Sequence, residues 1–234
     1  NGLLLPTQGT VIVNEMRIEK NSKDLKPLRQ QVGLVFQYPE QQLFEETVGK
    51  DIAYGPKNLG LSGEDIDFRV KEAAELVGLP FEEVKDRSPF ELSGGQRRRV
   101  AIAGVLAMHP TILILDEPTA GLDPRGRDEV LNGIRVLHEK NGYTIILVSH
   151  SMEDIARLVD RIVVMNKGRV VLTGSPREIF THAEELESMG LGVPQITRLM
   201  KALRQKGMDV PVDIYTVEQA KEALIKVLGE KRHA

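Results

Sequence analysis

Residues 112–124 read ILILDEPTAGLDP: four apolar residues, two adjacent acids, a proline, and then Gly-Leu-Asp-Pro. A short, continuously apolar run bounded by turn residues is the pattern of a parallel strand covered on both faces. In an open α/β sheet such a strand presents its last residues at the edge where ligands bind. Asp116, at that edge, is placed to hold a magnesium ion directly or through water. Glu117 beside it is placed to orient or deprotonate an attacking water. Taken alone, the acid pair reads equally well as a strand leaving into an acidic loop. Strands that serve a magnesium nucleotide normally work with a phosphate loop of the form G-x-x-x-x-G-K-[ST]. The 234 residues contain no such loop; their single Gly-Lys pair, Gly49-Lys50, is followed by Asp51 and lacks the upstream glycine.

Around this strand the chain alternates between two periodicities. Further strand-like runs are 10–13, 32–36, 144–148, 162–165 and 170–173, the last two flanking the turn-forming Asn166-Lys167-Gly168. That pair reads as an antiparallel hairpin. Helices are marked by their caps. Ser62-x-x-Asp65 opens one that stops at Gly78, and Asp123-Pro124 opens one that closes at Asn141-Gly142. Ser175-Pro176-Arg177-Glu178 is a capping box, and Thr216-x-x-Gln219 starts a last helix with Val217, Ala220, Leu224 and Val227 on one face. Strands alternating with helices imply an α/β core with a mostly parallel sheet. The stretch from about 43 to 92 has no clear strand and reads as a helical insertion; residues from about 176 read as a helical tail.

Composition excludes several classes. With 41% apolar and 28% charged residues the chain is an ordinary globular protein. A net charge of −3 provides no global basic field for nucleic acid. The absence of cysteine rules out disulfides and thiolate metal sites. No apolar run approaches the roughly 18–20 residues that span a bilayer as a helix, and the first ten residues make a poor signal peptide. The expected compartment is the cytoplasm.

Four further signals bear on chemistry. In LSGGQRRRVAIAG (92–104) a serine and two glycines open a helix, exposing N–H groups and a hydroxyl that suit a phosphate. Read alone, this is a turn with a helix start, and Arg97-Arg98-Arg99 is a solvated basic face. Gln37 closes the strand VGLVFQ and could reach a metal or a water. His150 closes TIILVSH, where a neutral imidazole can donate to a γ-phosphate. Asp123 doubles as a helix cap. Each has a plain structural reading in isolation, but their order along one chain changes that: Gln, Ser-Gly-Gly-Gln, Asp-Glu, Gly-Leu-Asp, His.

That order resembles the nucleotide-binding subunit of an ABC transporter. Gln37 matches the Q-loop, LSGGQ (92–96) the signature, ILILDEP the Walker B strand, AGLDP the D-loop and His150 the H-loop. VGLVFQYPEQQLFEETVGKDIAYGPKNLGLS, LSGGQRRRVAIAGVLAMHP and the tail GVPQITRLMKALRQKGMDVP are similar to ATPases of energy-coupling factor transporters and their cobalt and nickel relatives. The resemblance implies a P-loop NTPase (RecA-like) core over 1–42 and 108–175, a helical subdomain carrying the signature over 43–107, and a C-terminal helical segment over 176–234 that contributes to pairing. It implies ATP and Mg2+ as ligands, with Asp116 and Gln37 at the metal. Glu117 would activate water and His150 would contact the γ-phosphate. Ser93, Gly94, Gly95 and Gln96 would bind ATP held by the opposite subunit, and Asp123 would communicate between sites. The implied partners are a second ATPase subunit, an integral-membrane coupling subunit and a substrate-binding membrane subunit, at the cytoplasmic face of the membrane. Tyr38, Pro39, Leu43 and Phe44 are expected where coupling helices dock. The cargo would be a vitamin or a transition-metal ion.

The resemblance also sets an expectation about what these residues lack. In the family, the adenine-stacking aromatic and the phosphate loop precede the point where this sequence starts, so the sequence is expected to begin inside the domain. Each charge-assisted hydrogen bond of a phosphate loop contributes about 1.5–3 kcal/mol. Losing three costs about 5–9 kcal/mol, or roughly 10³–10⁶ in affinity. By itself this polypeptide is expected neither to bind ATP in cis nor to hydrolyse it. Two other readings stay open on sequence: a non-hydrolysing partner that lends only its signature, and a soluble ABC ATPase acting outside transport.

Overall fold

A computed structural model describes residues 1–230, which form two compact units, Asn1–Val148 and the residues from Ser149 onward. In the first unit, β1 (Val11–Val13) and β2 (Met16–Ile18) form a small antiparallel ribbon. Asn14 turns between them in the left-handed region, at φ 52°. The sequence reading found β1 but not β2, whose three residues are too few to show a period. After α1 (Lys26–Gln31) comes β3 (Val32–Val35), then a 3-10 turn over Pro39–Gln42.

The insertion is helical, as expected: α2 (Val48–Asn58), α3 (Gly63–Leu76), α4 (Phe81–Val84) and α5 (Gly94–Leu106). Ser62 caps α3 by accepting from the Asp65 N–H, and Gly78 ends the segment at φ 64°. From α5, Val100, Ala103 and Leu106 are fully buried, with Val48 and Ile52 of α2 buried opposite. Helix α5 also packs on β3, so closely that a Cβ on Gly33 would lie 2.7 Å from Val105 Cγ1.

β4 (Ile112–Asp116) runs parallel to β3 on one side and to β5 (Thr144–Val148) on the other, giving the order β3-β4-β5. The register pairs Val35 with Leu115, Leu115 with Leu147, and Asp116 with Val148. Between β4 and β5 runs α6 (Pro124–Asn141), with Asp123 as its N-cap and Gly142 as its left-handed C-cap, φ 71°. The sheet departs from expectation in one respect. β5 reads as a strand covered on both faces, yet Ile146 and Val148 are each 48% exposed. Among the described residues β5 pairs only with β4, so its outer edge and one of its faces lack cover.

The second unit holds α7 (Met152–Leu158), the hairpin β6 (Ile162–Asn166) and β7 (Arg169–Gly174), α8 (Pro176–Thr181), α9 (Ala183–Ser188), α10 (Gln195–Gln205) and α11 (Val217–Glu230). The hairpin turns through Lys167 (φ 48°) and Gly168 (φ 75°). Positive φ at both central residues is the turn whose twist matches paired strands. Ala156, Val164, Ile179, Phe180 and Leu186 form one core cluster. Met200, Val210, Ile214 and Ala220 form another, which Leu224 and Val227 flank. Val217, expected on that face, is 65% exposed. As the first residue of α11 it lies at the end of the apolar stripe, one turn before Ala220 reaches the core.

Candidate functional site

Parallel pairing carries β3, β4 and β5 to a common C-terminal edge, where adjacent strands stand about 4.8 Å apart. Gln37 lies two residues past the end of β3 and is exposed. Asp116 ends β4, half-buried. Glu117 follows with φ 48°, a left-handed backbone that a non-glycine residue adopts at a cost on the order of 1–3 kcal/mol. Two hydrogen bonds hold it there: its N–H donates to the Val148 carbonyl (2.9 Å) and its carbonyl accepts from the Ala120 N–H (3.0 Å). Those two bonds break the strand's alternation at Glu117. His150 belongs to the second unit, two residues beyond the end of β5, and is exposed.

The signature serine is the N-cap of α5. Ser93 Oγ accepts from the Gln96 N–H (3.3 Å), and Gln96 Oε1 accepts from the Ser93 N–H (3.1 Å), a complete capping box. Gln96 thus spends its carbonyl oxygen on the cap. Gly94 and Gly95 open the helix fully in solvent, and a Cβ at either position would meet nothing within 4 Å. Backbone N–H groups in an exposed first turn of a 13-residue helix fit an anion such as a phosphate. Asp123 is exposed and accepts from the Gly126 N–H at 2.7 Å, so its carboxylate serves as the α6 cap.

No group of three or more metal-ligating side chains occurs among the described residues. Asp116 alone still fits magnesium, which keeps most of its waters and takes one or two carboxylates together with substrate phosphates.

The basic run after the signature is not the solvated face its composition suggests. Arg98 is 2% exposed. Its Nε and Nη2 donate to Glu40 Oε2 and Oε1 (3.0 and 3.2 Å), Nη1 to the Pro118 carbonyl (3.0 Å), and Nη2 also to the Ala120 carbonyl (3.1 Å). Arg99 bridges the Gly78 carbonyl (3.1 Å) and Glu129 (2.7 Å). Glu40 and Arg98 escaped the sequence reading, although a signal was there. Val100 through Ala107 is apolar without interruption, so the part of the helix after Arg99 has no polar face, and an arginine buried beside it must find partners.

The expected docking residues divide. Pro39 and Leu43 are buried, anchoring the segment, while Tyr38 and Phe44 are exposed, Phe44 at 59%. Phe44 meets Tyr54 of α2 edge-to-face at 4.8 Å, adding an aromatic that sequence spacing did not single out. Asp51 fixes this turn by accepting from the Phe44 and Glu45 N–H groups, both at 3.0 Å. Burial raises its carboxyl above the usual aspartate range, against the lowering effect of those two hydrogen bonds.

The ABC transporter family model matches residues 1–120. The energy-coupling factor transporter ATP-binding protein EcfA2 of Clostridium perfringens is 58% identical over 97% of this chain and 80% of its own length. Its counterpart in Bacillus cereus is 52% identical over 100% of this chain and 80% of its own. Among solved structures, cbiO1 from Clostridium perfringens, part of the ABC transporter complex cbiONQ, is 40% identical over 86% of this chain and 79% of its own, with a TM-score of 0.70. A dimeric ATP-binding cassette bound to ADP and Pi in a post-hydrolysis state is 29% identical over 74% of this chain and 76% of its own, at a TM-score of 0.63. Sheet edge, signature helix and relatives together make this chain an ABC transporter ATP-binding protein, of the energy-coupling factor kind.

Proposed function

We propose that this chain is the ATP-hydrolysing subunit of an energy-coupling factor importer, powering uptake of a vitamin or a transition-metal ion. It acts at the cytoplasmic face of the membrane, paired with a second ATPase subunit and held by an integral-membrane coupling subunit. A substrate-binding membrane subunit selects the cargo. The observation that most supports this is the position of Glu117: a carboxylate held in a left-handed backbone immediately after Asp116, at the ligand-binding edge of a parallel sheet.

In this reading Glu117 accepts a proton from the attacking water, general-base catalysis worth about 10²–10⁴ in rate. His150 donates an imidazole N–H toward the γ-phosphate. Asp116 and Gln37 hold magnesium, which when bound polarises the phosphoryl oxygens. Ser93, Gly94 and Gly95 turn the α5 N-terminus toward the γ-phosphate of ATP in the opposite subunit. Gln96 completes that turn by capping Ser93, and Asp123 faces the twin site while anchoring α6. The 234 residues hold no G-x-x-x-x-G-K-[ST] loop. Within them, the phosphate donors of this reading are those of the signature together with His150. Exposed Phe44 and Tyr54, with Tyr38, offer an aromatic surface to the membrane subunit. Among the described residues no helix is long and apolar enough to cross a membrane.

Co-expression of the full-length subunit with its membrane partner tests the reading. The expected result is a stable complex that turns over ATP. A chain that does not co-purify, or a complex without turnover, contradicts it.

A further inference from the structure

Among the described residues Arg98 is the one arginine that is fully buried, and it uses three of its nitrogens on three acceptor residues in two separate segments of chain. It grows from the first turn and a half of α5, directly behind the signature. Its acceptors are the carboxylate of Glu40, in the turn that follows Gln37, and the carbonyls of Pro118 and Ala120, between Glu117 and Asp123. A second contact joins the same two loops independently of Arg98. Tyr38 lies against Gly121, so that a Cβ on Gly121 would fall 3.3 Å from Tyr38 Cε1. Both Tyr38 (φ 55°) and Gly121 (φ 72°) occupy the left-handed region, which fixes the direction each loop takes where they meet.

We infer that Arg98 and Glu40 form a positioning tie through which the segment after Gln37 sets the placement of Glu117. The pair does not touch the reacting atoms. It acts through the Pro118–Ala120 backbone, whose Ala120 N–H bonds back to the Glu117 carbonyl at 3.0 Å. A guanidinium can do this because its planar fork serves a carboxylate bidentately and still has donors for two carbonyls; an ammonium cannot span the same acceptors. Glu40 supplies the counter-charge that makes a buried cation tolerable. Because Glu40 is the only charged acceptor, a shift of its turn under a docked partner draws the guanidinium, and with it the loop carrying Glu117. The signature helix, from which Arg98 projects, is held to the same point.

This inference rests on the ATPase reading above, and the test separates the two. The assembled transporter, with full-length subunits, is compared in unaltered form and with Glu40→Gln, Arg98→Lys, both together, and Glu117→Gln as reference. Glu40→Gln keeps size and polarity while removing the counter-charge. We expect Glu40→Gln and Arg98→Lys each to lower kcat for ATP about tenfold, with KM changed less than about twofold. The double variant should be no slower than the slower single variant, as for residues that act as one unit. Hydrogen exchange of the 119–122 amides should quicken in Glu40→Gln. If Arg98→Lys fails to assemble, Glu40→Gln alone decides. Unaltered kcat in Glu40→Gln, or unaltered exchange at 119–122, overturns the tie, as does an additive double variant. If Glu117→Gln itself leaves turnover intact, the ATPase reading fails instead.

Discussion

Glu117 and Arg98 show how a residue's neighbours decide what its charge does. Glu117 was legible as a candidate because it follows an apolar strand; its left-handed backbone was not, since nothing in Asp-Glu-Pro fixes φ until Val148 and Ala120 supply bonding partners. Arg98 was misread within a run of three basic residues, because charge runs are usually solvated and burial depends on partners 58 and 20 residues away. Asp51 yields a prediction at this scale. Burial lifts its folded-state pKa above the ordinary aspartate value of 3.8. For an acid shifted upward, the favourable contribution is full below the unfolded pKa and is lost as pH rises through the folded one. Asp51→Asn keeps an oxygen to accept from Phe44 and Glu45 but removes the titration. Melting curves from about pH 3.5, just below the ordinary aspartate value, up to neutrality should show the Asn variant gaining on the parent as pH rises. A gap that narrows or stays constant would contradict the assignment.

At the scale of elements, caps were the most legible feature. Ser62, Asp123 and Ser175 each accept the N–H of the third residue onward, because a short oxygen-bearing side chain needs only local geometry to reach it. The hairpin through Lys167-Gly168 was legible for the same local reason. Strand cover was not: the sequence of β5 is as apolar as that of β4, and only pairing distinguishes an edge strand from a central one. Gly33 shows packing that no periodicity reveals. Its Cβ would lie 2.7 Å from Val105 and 3.0 Å from Pro110, so β3 and α5 approach at a distance only glycine allows. Gly33→Ala is expected to lower stability by about 1–3 kcal/mol through overpacking. Urea unfolding followed by circular dichroism would measure this, and an unchanged midpoint would show that Val105 yields freely.

At the scale of the whole molecule, the parallel strands bring Gln37, Asp116 and Glu117 to one sheet edge, and α5 presents Ser93, Gly94 and Gly95 at an exposed helix start. Family and fold were legible because five short motifs keep their order over more than a hundred residues, which no single motif could establish. The central claim, that Glu117 is the general base of a transport ATPase, is tested most directly by ATP turnover of the assembled full-length complex carrying Glu117→Gln. The expected result is a loss of about 10²–10⁴-fold in kcat with the complex still intact; turnover equal to the unaltered complex would contradict it.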